Sequence, residues 1–97
     1  LGLGEDGHIA SLFPGMNPDL LSTLHCVAVA PPIAPSLRAS LSLDILAKSE
    51  QIVLVVTGKN KRRLLDRLSE NPDLKLPIVW LLQRTPSPVT VFEMNTE

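Results

Sequence analysis

Apolar residues fall in short runs along the chain, each bounded by glycine, proline or polar residues. The run over 51–57 (QIVLVVT) is almost continuously apolar, as is typical of a strand that helices cover on both faces of a parallel sheet. Gly58 then turns the chain into a segment over 59–70 with leucines at helical spacing, which Asn71 and Pro72 end. The pattern therefore predicts a strand followed by a helix.

Other segments predict further strands around this unit. Between Leu37 and Asp44 the residues alternate strictly, which predicts a half-covered strand with its leucines on the buried face and Arg38 on the polar face. Strands that alternate with helices favour an α/β fold with a mainly parallel sheet flanked by helices, in one unit over 1–97. The other predicted strands are the runs at 26–30 (CVAVA), 77–82 (PIVWLL) and 89–92 (VTVF).

Shorter helices are predicted where polar residues precede apolar ones. A helix over 8–13 would stop at Pro14, and a helical turn is expected at 17–22. Asp44 is expected to cap a short helix that runs through Lys48.

Charge and cysteine usage exclude several classes of function. The 97 residues carry 9 Lys+Arg against 10 Asp+Glu, whereas a nucleic-acid binder or a polybasic membrane-surface module would have a basic excess. No apolar run approaches the roughly 20 residues that a membrane span needs. The single cysteine, Cys26, has no internal disulfide partner and no metal-ligand spacing, so we expect a cytoplasmic protein without a metal site.

The glycine-rich segment at 2–15 (GLGEDGHIASLFPG) is the first candidate site. Gly4 and Gly7 let backbone N–H groups approach an anionic ligand, and the predicted helix start would favour negative charge. Asp6 lies two residues before His8, so a carboxylate could orient an imidazole that acts as a general base. The alternative is that Asp6 caps the helix and His8 is an ordinary residue of its first turn.

Two further candidates are cationic. The first turn of the helix over 59–70 holds four cations, which oppose the helix dipole and would be offset by a bound anion. Among them, Lys61 lies at the edge of the apolar stripe, where it could grip a phosphate; the alternative is a solvated basic face. Arg38 could bind a phosphate through its guanidinium fork, or simply face solvent.

Taken together, these segments resemble the 6-phosphogluconolactonase family, within the superfamily of glucosamine- and galactosamine-6-phosphate isomerases. The resemblance rests on GLGEDGHIASLFPG, on PSLRASLSL over 35–43, on VTGKNK over 56–61 and more loosely on LPIVWLL over 76–82. It implies the C-terminal part of a doubly wound fold of the NagB/RpiA type. It also implies that His8 is catalytic with Asp6 beside it, and that Arg38 and Lys61 hold the phosphate.

The implied reaction is hydrolysis of 6-phospho-D-glucono-1,5-lactone to 6-phosphogluconate, in the oxidative pentose phosphate pathway, without a cofactor. His8 would deprotonate the attacking water, Asp6 would orient His8, and the N–H groups of Gly4 and Gly7 would stabilise the oxyanion. The chain opens inside a strand–loop–helix unit, so we expect the N-terminal half of the domain to be absent. An uncovered sheet edge in so short a chain would favour self-association.

Two alternative functions remain open. A sugar-phosphate isomerase or deaminase would share GxGxDGHIA, but it would continue with a glutamate where this chain has Ser11 to Pro14. A non-catalytic phosphosugar-binding module would bind the ligand without turnover. The absence of the N-terminal half favours that second alternative.

Overall fold

The computed structural model describes residues 1–17, 25–30 and 37–94, and the helical turn expected at 17–22 falls almost wholly outside them. The strands Ile52–Thr57 and Val89–Met94 pair in parallel, and the strands Cys26–Val29 and Arg38–Leu41 pair antiparallel. This confirms the predicted α/β class. In chain order the elements are β1 (Cys26–Val29), β2 (Arg38–Leu41), α1 (Leu43–Ala47), β3 (Ile52–Thr57), α2 (Lys59–Glu70), α3 (Pro77–Arg84) and β4 (Val89–Met94).

The first residues of the chain extend the parallel sheet. Gly2 forms a parallel bridge with Val55, and the N–H of Val55 donates to the carbonyl of Leu1 at 2.8 Å. Leu3 is buried in the core, as expected for a residue that leaves a covered strand. The glycine-rich loop therefore starts at the carboxyl end of the sheet, which is the edge where open α/β sheets bind ligands.

The two faces of the β3–β4 pair have different environments. Alternate residues of β3 are buried, and they belong to the same core cluster as Leu64 of α2. On the opposite face, Val55 and Phe92 lie side by side and are 39% and 57% exposed. Within the described ranges, no helix is long and apolar enough to cross a membrane.

Residues 77–84 form a helix, so the predicted strand over 77–82 is wrong. A six-residue apolar run fits either a buried strand or a buried helix, and periodicity alone does not separate them. Pro77 stands in the first turn, where its missing N–H costs nothing, and extended Leu76 precedes it. Leu81 is fully buried, and Trp80 packs against the core.

The predicted helix over 8–13 is also wrong. Ile9 bridges Leu3 on one side and Leu12 on the other, so the chain folds back on itself in tight turns instead of winding into a helix. Ala10 has a φ of 49°, in the left-handed region that a continuous right-handed helix excludes. His8 consequently does not lie at a helix N-terminus.

The predicted half-covered strand is present as β2, but its two faces are reversed. Leu37 and Leu41 are 81% and 52% exposed, whereas Ser40 and Ser42 are buried. The serines are buried because both have hydrogen-bond partners: Ser40 contacts the glycine-rich loop, and Ser42 accepts from the N–H of Ile45. Ser42, not the predicted Asp44, is therefore the N-cap of α1.

Candidate active site

The loop over 4–13 brings His8 and Asp6 together. The His8 Nδ1 lies 2.6 Å from Asp6 Oδ1, and the backbone N–H of His8 donates to the same oxygen at 3.0 Å. One carboxylate oxygen thus fixes both the backbone and the ring of His8. With Nδ1 facing Asp6, Nε2 is the ring nitrogen left to act on a substrate.

Electrostatics keeps Asp6 ionised in this pair. Partial burial raises the pKa of Asp6, but the hydrogen bonds from the backbone and ring of His8 and the charge of that ring lower it, and together they hold the pKa below its ordinary value. An ionised Asp6 accepts the Nδ1–H of His8 and stabilises positive charge on the imidazole. The arrangement suits a general base.

Only glycine fits at position 4. A Cβ at Gly4 would lie 2.1 Å from His8 Nδ1 and 2.8 Å from Asp6 Oδ1, closer than real Cβ contacts come. Gly7 has a φ of 89°, and a side chain there would also meet Leu76. The glycines therefore permit the close approach of the His8–Asp6 pair to the backbone.

The N–H groups of Gly4 and Gly7, predicted to stabilise an oxyanion, already donate hydrogen bonds within the loop. The N–H of Gly4 donates to the carbonyl of His8 at 2.9 Å, and the N–H of Gly7 donates to the carbonyl of Gly4 at 3.0 Å. Both donors are already used to shape the loop. A substrate oxyanion would have to displace one of these bonds to use them.

Three surrounding elements hold the loop in place. The N–H of Ile78, in the first turn of α3, donates to the carbonyl of Gly7 at 3.2 Å. The N–H of Ser11 donates to Ser40 Oγ of β2 at 3.2 Å. Asn60 of α2 donates weakly to Glu5 at 3.4 Å. The contact with β2 explains why the polar face of that strand points inward.

An aromatic ring joins His8 to Arg38. The ring centroids of His8 and Phe13 are 4.7 Å apart, and the guanidinium carbon of Arg38 lies 6.0 Å from the Phe13 centroid. The structure thus places both His8 and Arg38 beside the ring of Phe13. The sequence analysis did not single out Phe13, because nothing in its spacing distinguishes it from a core residue.

The first turn of α2 holds the remaining cations. Lys61 is half-buried, and Arg62 forms ion pairs with Asp66 and with Glu93 of β4, so the chain's own carboxylates offset part of the predicted basic charge. A cavity of about 460 Å³ opens at the carboxyl ends of β3 and β4. Its lining consists of Val56, Gly58, Lys59, Arg62, Arg63, Glu93 and Met94.

Comparisons with known proteins identify the family of this chain. A family model described as glucosamine-6-phosphate isomerases/6-phosphogluconolactonase matches residues 1–91. A protein named 6-phosphogluconolactonase from Caulobacter vibrioides is 43% identical over 94% of this chain, and one from Rattus norvegicus is 37% identical over 88%. The crystal structure of a 6-phosphogluconolactonase from Shewanella baltica superimposes on 98% of this chain with a TM-score of 0.80 and 31% identity.

The match covers much less of these relatives than of this chain. The chain spans 41% of the Caulobacter vibrioides protein, 34% of the Rattus norvegicus protein and 42% of the Shewanella baltica structure. The family model nevertheless covers almost all of the chain. The chain therefore belongs to the glucosamine-6-phosphate isomerase/6-phosphogluconolactonase family.

Proposed function

We propose that this chain carries the catalytic base and part of the phosphate site of a 6-phosphogluconolactonase. The proposed reaction is hydrolysis of 6-phospho-D-glucono-1,5-lactone to 6-phosphogluconate, a step of the oxidative pentose phosphate pathway in the cytoplasm. The observation that carries the proposal is the His8–Asp6 pair, held in a glycine-rich loop at the carboxyl end of a parallel sheet. Relatives at 37% and 43% identity bear the name of this activity.

His8 acts as general base in the proposed mechanism. Its Nδ1–H donates to Asp6, so Nε2 carries the lone pair that removes a proton from water as the water oxygen bonds to the lactone carbonyl carbon. The tetrahedral intermediate then breaks the bond between the carbonyl carbon and the ring oxygen. The imidazolium returns its proton to that ring oxygen, which becomes a hydroxyl. One water is consumed, and the acid ionises to its carboxylate.

Arg38 and Lys61 are proposed to hold the phosphate. Arg38 lies against the aromatic ring that also contacts His8, and Lys61 is half-buried in the first turn of α2. Binding of the remote phosphate would orient the lactone carbonyl against His8, which converts binding energy into rate. In this mechanism neither cation contacts the reacting carbonyl.

Substitution of His8 tests the proposal, and the chain offers a matched control. His8→Gln should lower lactone hydrolysis by roughly 10²–10⁴-fold, the range for loss of a general base. The control is His25→Gln, which changes the other histidine. Among the described residues, the exposed His25 forms no hydrogen bond with the loop, so this variant should leave the rate unchanged. Equal rates for the two variants would remove His8 from the mechanism.

A second candidate function, phosphosugar binding without turnover, is favoured by the hydrogen bonds within the loop. The N–H groups of Gly4 and Gly7 already donate within the loop, and a site without a free oxyanion donor would bind the phosphosugar without turning the lactone over. In that case 6-phosphogluconate would bind to the wild-type chain, and lactone hydrolysis would stay at the uncatalysed rate. The wild-type assay therefore separates the two functions before any variant is made.

A further inference from the structure

Phe13 contacts both side chains on which the proposed reaction depends. Its ring lies 4.7 Å from the His8 ring at an interplanar angle of 34°, and the Arg38 guanidinium carbon lies 6.0 Å from its centroid. Phe13 itself is 7% exposed and belongs to the core cluster. A buried ring thus contacts a partly exposed base and has an exposed cation beside it.

The hydrogen bond to Asp6 alone does not fix the His8 ring. Rotation of the ring about the Cβ–Cγ bond of His8 would carry Nδ1 away from Asp6 and leave the imidazole free to hold its proton on either nitrogen. Contact with the face of Phe13 restricts the ring plane, as tilted aromatic pairs at this centroid distance do. Together the two contacts determine where Nε2 points.

The same ring restrains Arg38. The Arg38 side chain lies on an exposed strand position, where a long side chain otherwise samples many rotamers. A guanidinium about 6 Å from an aromatic centroid gains a cation–π attraction, which at an exposed site is worth about 0.5–1 kcal/mol. The attraction favours rotamers that keep the cation beside the loop.

We propose that Phe13 is a positioning residue that sets the His8 ring and the Arg38 guanidinium relative to one another. A substrate held at its phosphate by Arg38 presents its carbonyl to His8 only if the separation of the two groups is fixed. Phe13 contacts both groups and is itself anchored in the core, so it supplies that separation. This inference rests on the proposed function for its catalytic consequence, but its geometric content stands without it.

Phe13→Leu removes the ring while retaining an apolar side chain, and Phe92→Leu is the matched control. Phe92, the other phenylalanine of the chain, lies on the exposed face of the β3–β4 pair and is 57% exposed. Nitrogen-15 spectra of the histidine ring report which nitrogen carries the proton. We expect wild-type protein and Phe92→Leu to show a single Nδ1–H form of His8, and Phe13→Leu to show a mixture of forms.

Anion binding provides the second readout. With 6-phosphogluconate as the probe, Phe13→Leu should bind about two- to fivefold more weakly than wild type, which corresponds to loss of an exposed cation–π contact. Phe13→Tyr, which keeps an aromatic face, should restore both the Nδ1–H form and the affinity. A residue that merely fills the core would lower stability in Phe13→Leu without changing either readout in the folded protein.

The outcomes separate this inference from the proposed function. A folded Phe13→Leu protein with the wild-type proton position and the wild-type affinity would overturn the positioning role. If Phe13→Leu does not fold, Phe13→Met, whose flexible side chain fills irregular space, takes the same test. Absence of lactone hydrolysis in the wild-type chain would contradict the catalytic function, whereas the nitrogen-15 result would still decide whether Phe13 orients His8.

Discussion

The two regions predicted to act on a phosphosugar differ in what holds them in place. In the loop over 4–13, the chain's own hydrogen bonds orient the functional pair, and neighbouring elements secure the loop from three sides. In the first turn of α2, Lys61 forms no hydrogen bond or ion pair with the residues that the structure describes, and Arg62 is ion-paired with Glu93. The chain's own contacts therefore fix the functional pair of the loop, whereas they do not fix Lys61.

This difference has a chemical reason. A general base needs a fixed direction for one lone pair, and two contacts on the same imidazole provide it. A cation that neutralises a phosphate acts through a longer-range attraction and tolerates several side-chain positions. Changes inside the loop should therefore have larger effects than changes in the first turn of α2.

After the substitution of His8 itself, the largest effect is expected from Gly4→Ala, which places a side chain inside the loop. The added Cβ would collide with the His8 ring and with Asp6, so we expect a loss of about 1–3 kcal/mol in unfolding free energy and a roughly 100-fold loss of lactone hydrolysis. Gly2→Ala is the control, because a Cβ there meets nothing within 4 Å. Equal stability and activity in the two variants would show that the close approach at Gly4 is not required.

Lys61→Met tests the other region. Loss of a charge-assisted contact should weaken 6-phosphogluconate binding roughly tenfold, while the unfolding free energy changes by no more than about 0.5 kcal/mol. Lys75→Met removes an exposed lysine next to Leu76 and should leave the affinity unchanged. If both variants weaken binding equally, Lys61 contributes only through the overall charge.

Ser40→Ala tests the attachment of the loop to β2. Ser40 Oγ accepts from Ser11 and is buried, so its removal leaves a backbone N–H without its partner and should cost about 1–2 kcal/mol of unfolding free energy. Ser69→Ala, on the exposed surface of α2, should change the unfolding free energy by no more than about 0.5 kcal/mol. Chemical denaturation measures both, and equal values would mean that the Ser40 contact does not secure the loop.

The smallest effect concerns the pH dependence of the His8–Asp6 pair. Because the pKa of Asp6 is lowered in the folded protein, its ionised form stabilises the fold above the ordinary carboxyl pKa. That contribution is lost as the pH falls through the lowered value. The stability difference between wild type and Asp6→Asn should therefore shrink on acidification below about pH 4. Even above that pH the stability difference should be small, because Asp6 is half-exposed.

Asp73→Asn serves as the control for this titration. Asp73 lies in an exposed turn, and its replacement should produce no stability difference that changes with pH in the same range. A difference for Asp6→Asn that stays constant, or that grows as the pH falls, would contradict the pairing of Asp6 with His8.

The sequence correctly predicts the elements whose hydrophobic pattern fits only one kind of secondary structure. The apolar run ending at Thr57, the turn at Gly58 and the helix ending before Asn71 all match the structure, because a covered strand and an amphipathic helix have distinct periods. Helix α3 was misassigned because its first six residues suit a buried strand equally well. Pro77 at the first helical position was the signal that favoured a helix.

The site was predicted less completely than the fold. The pairing of Asp6 with His8 follows from their separation of two residues, but the tight turns that replace the predicted helix depend on the contacts of Ile9 with Leu3 and Leu12. The inward face of β2 could not be predicted, because it depends on a serine that bonds to a distant loop. Phe13 likewise gains its importance only from its neighbours in space.

The most direct test of the account is a titration of the 97-residue chain, followed through its backbone amides. With 6-phosphogluconate, the account predicts saturable shifts both in the loop over 4–13 and in the segment 58–61. With inorganic phosphate, it predicts shifts at 58–61 and around Arg38, and much smaller shifts at Asp6 and His8. If 6-phosphogluconate shifts the amide resonances of only one of the two regions, the claim that they bind opposite ends of one sugar phosphate is contradicted.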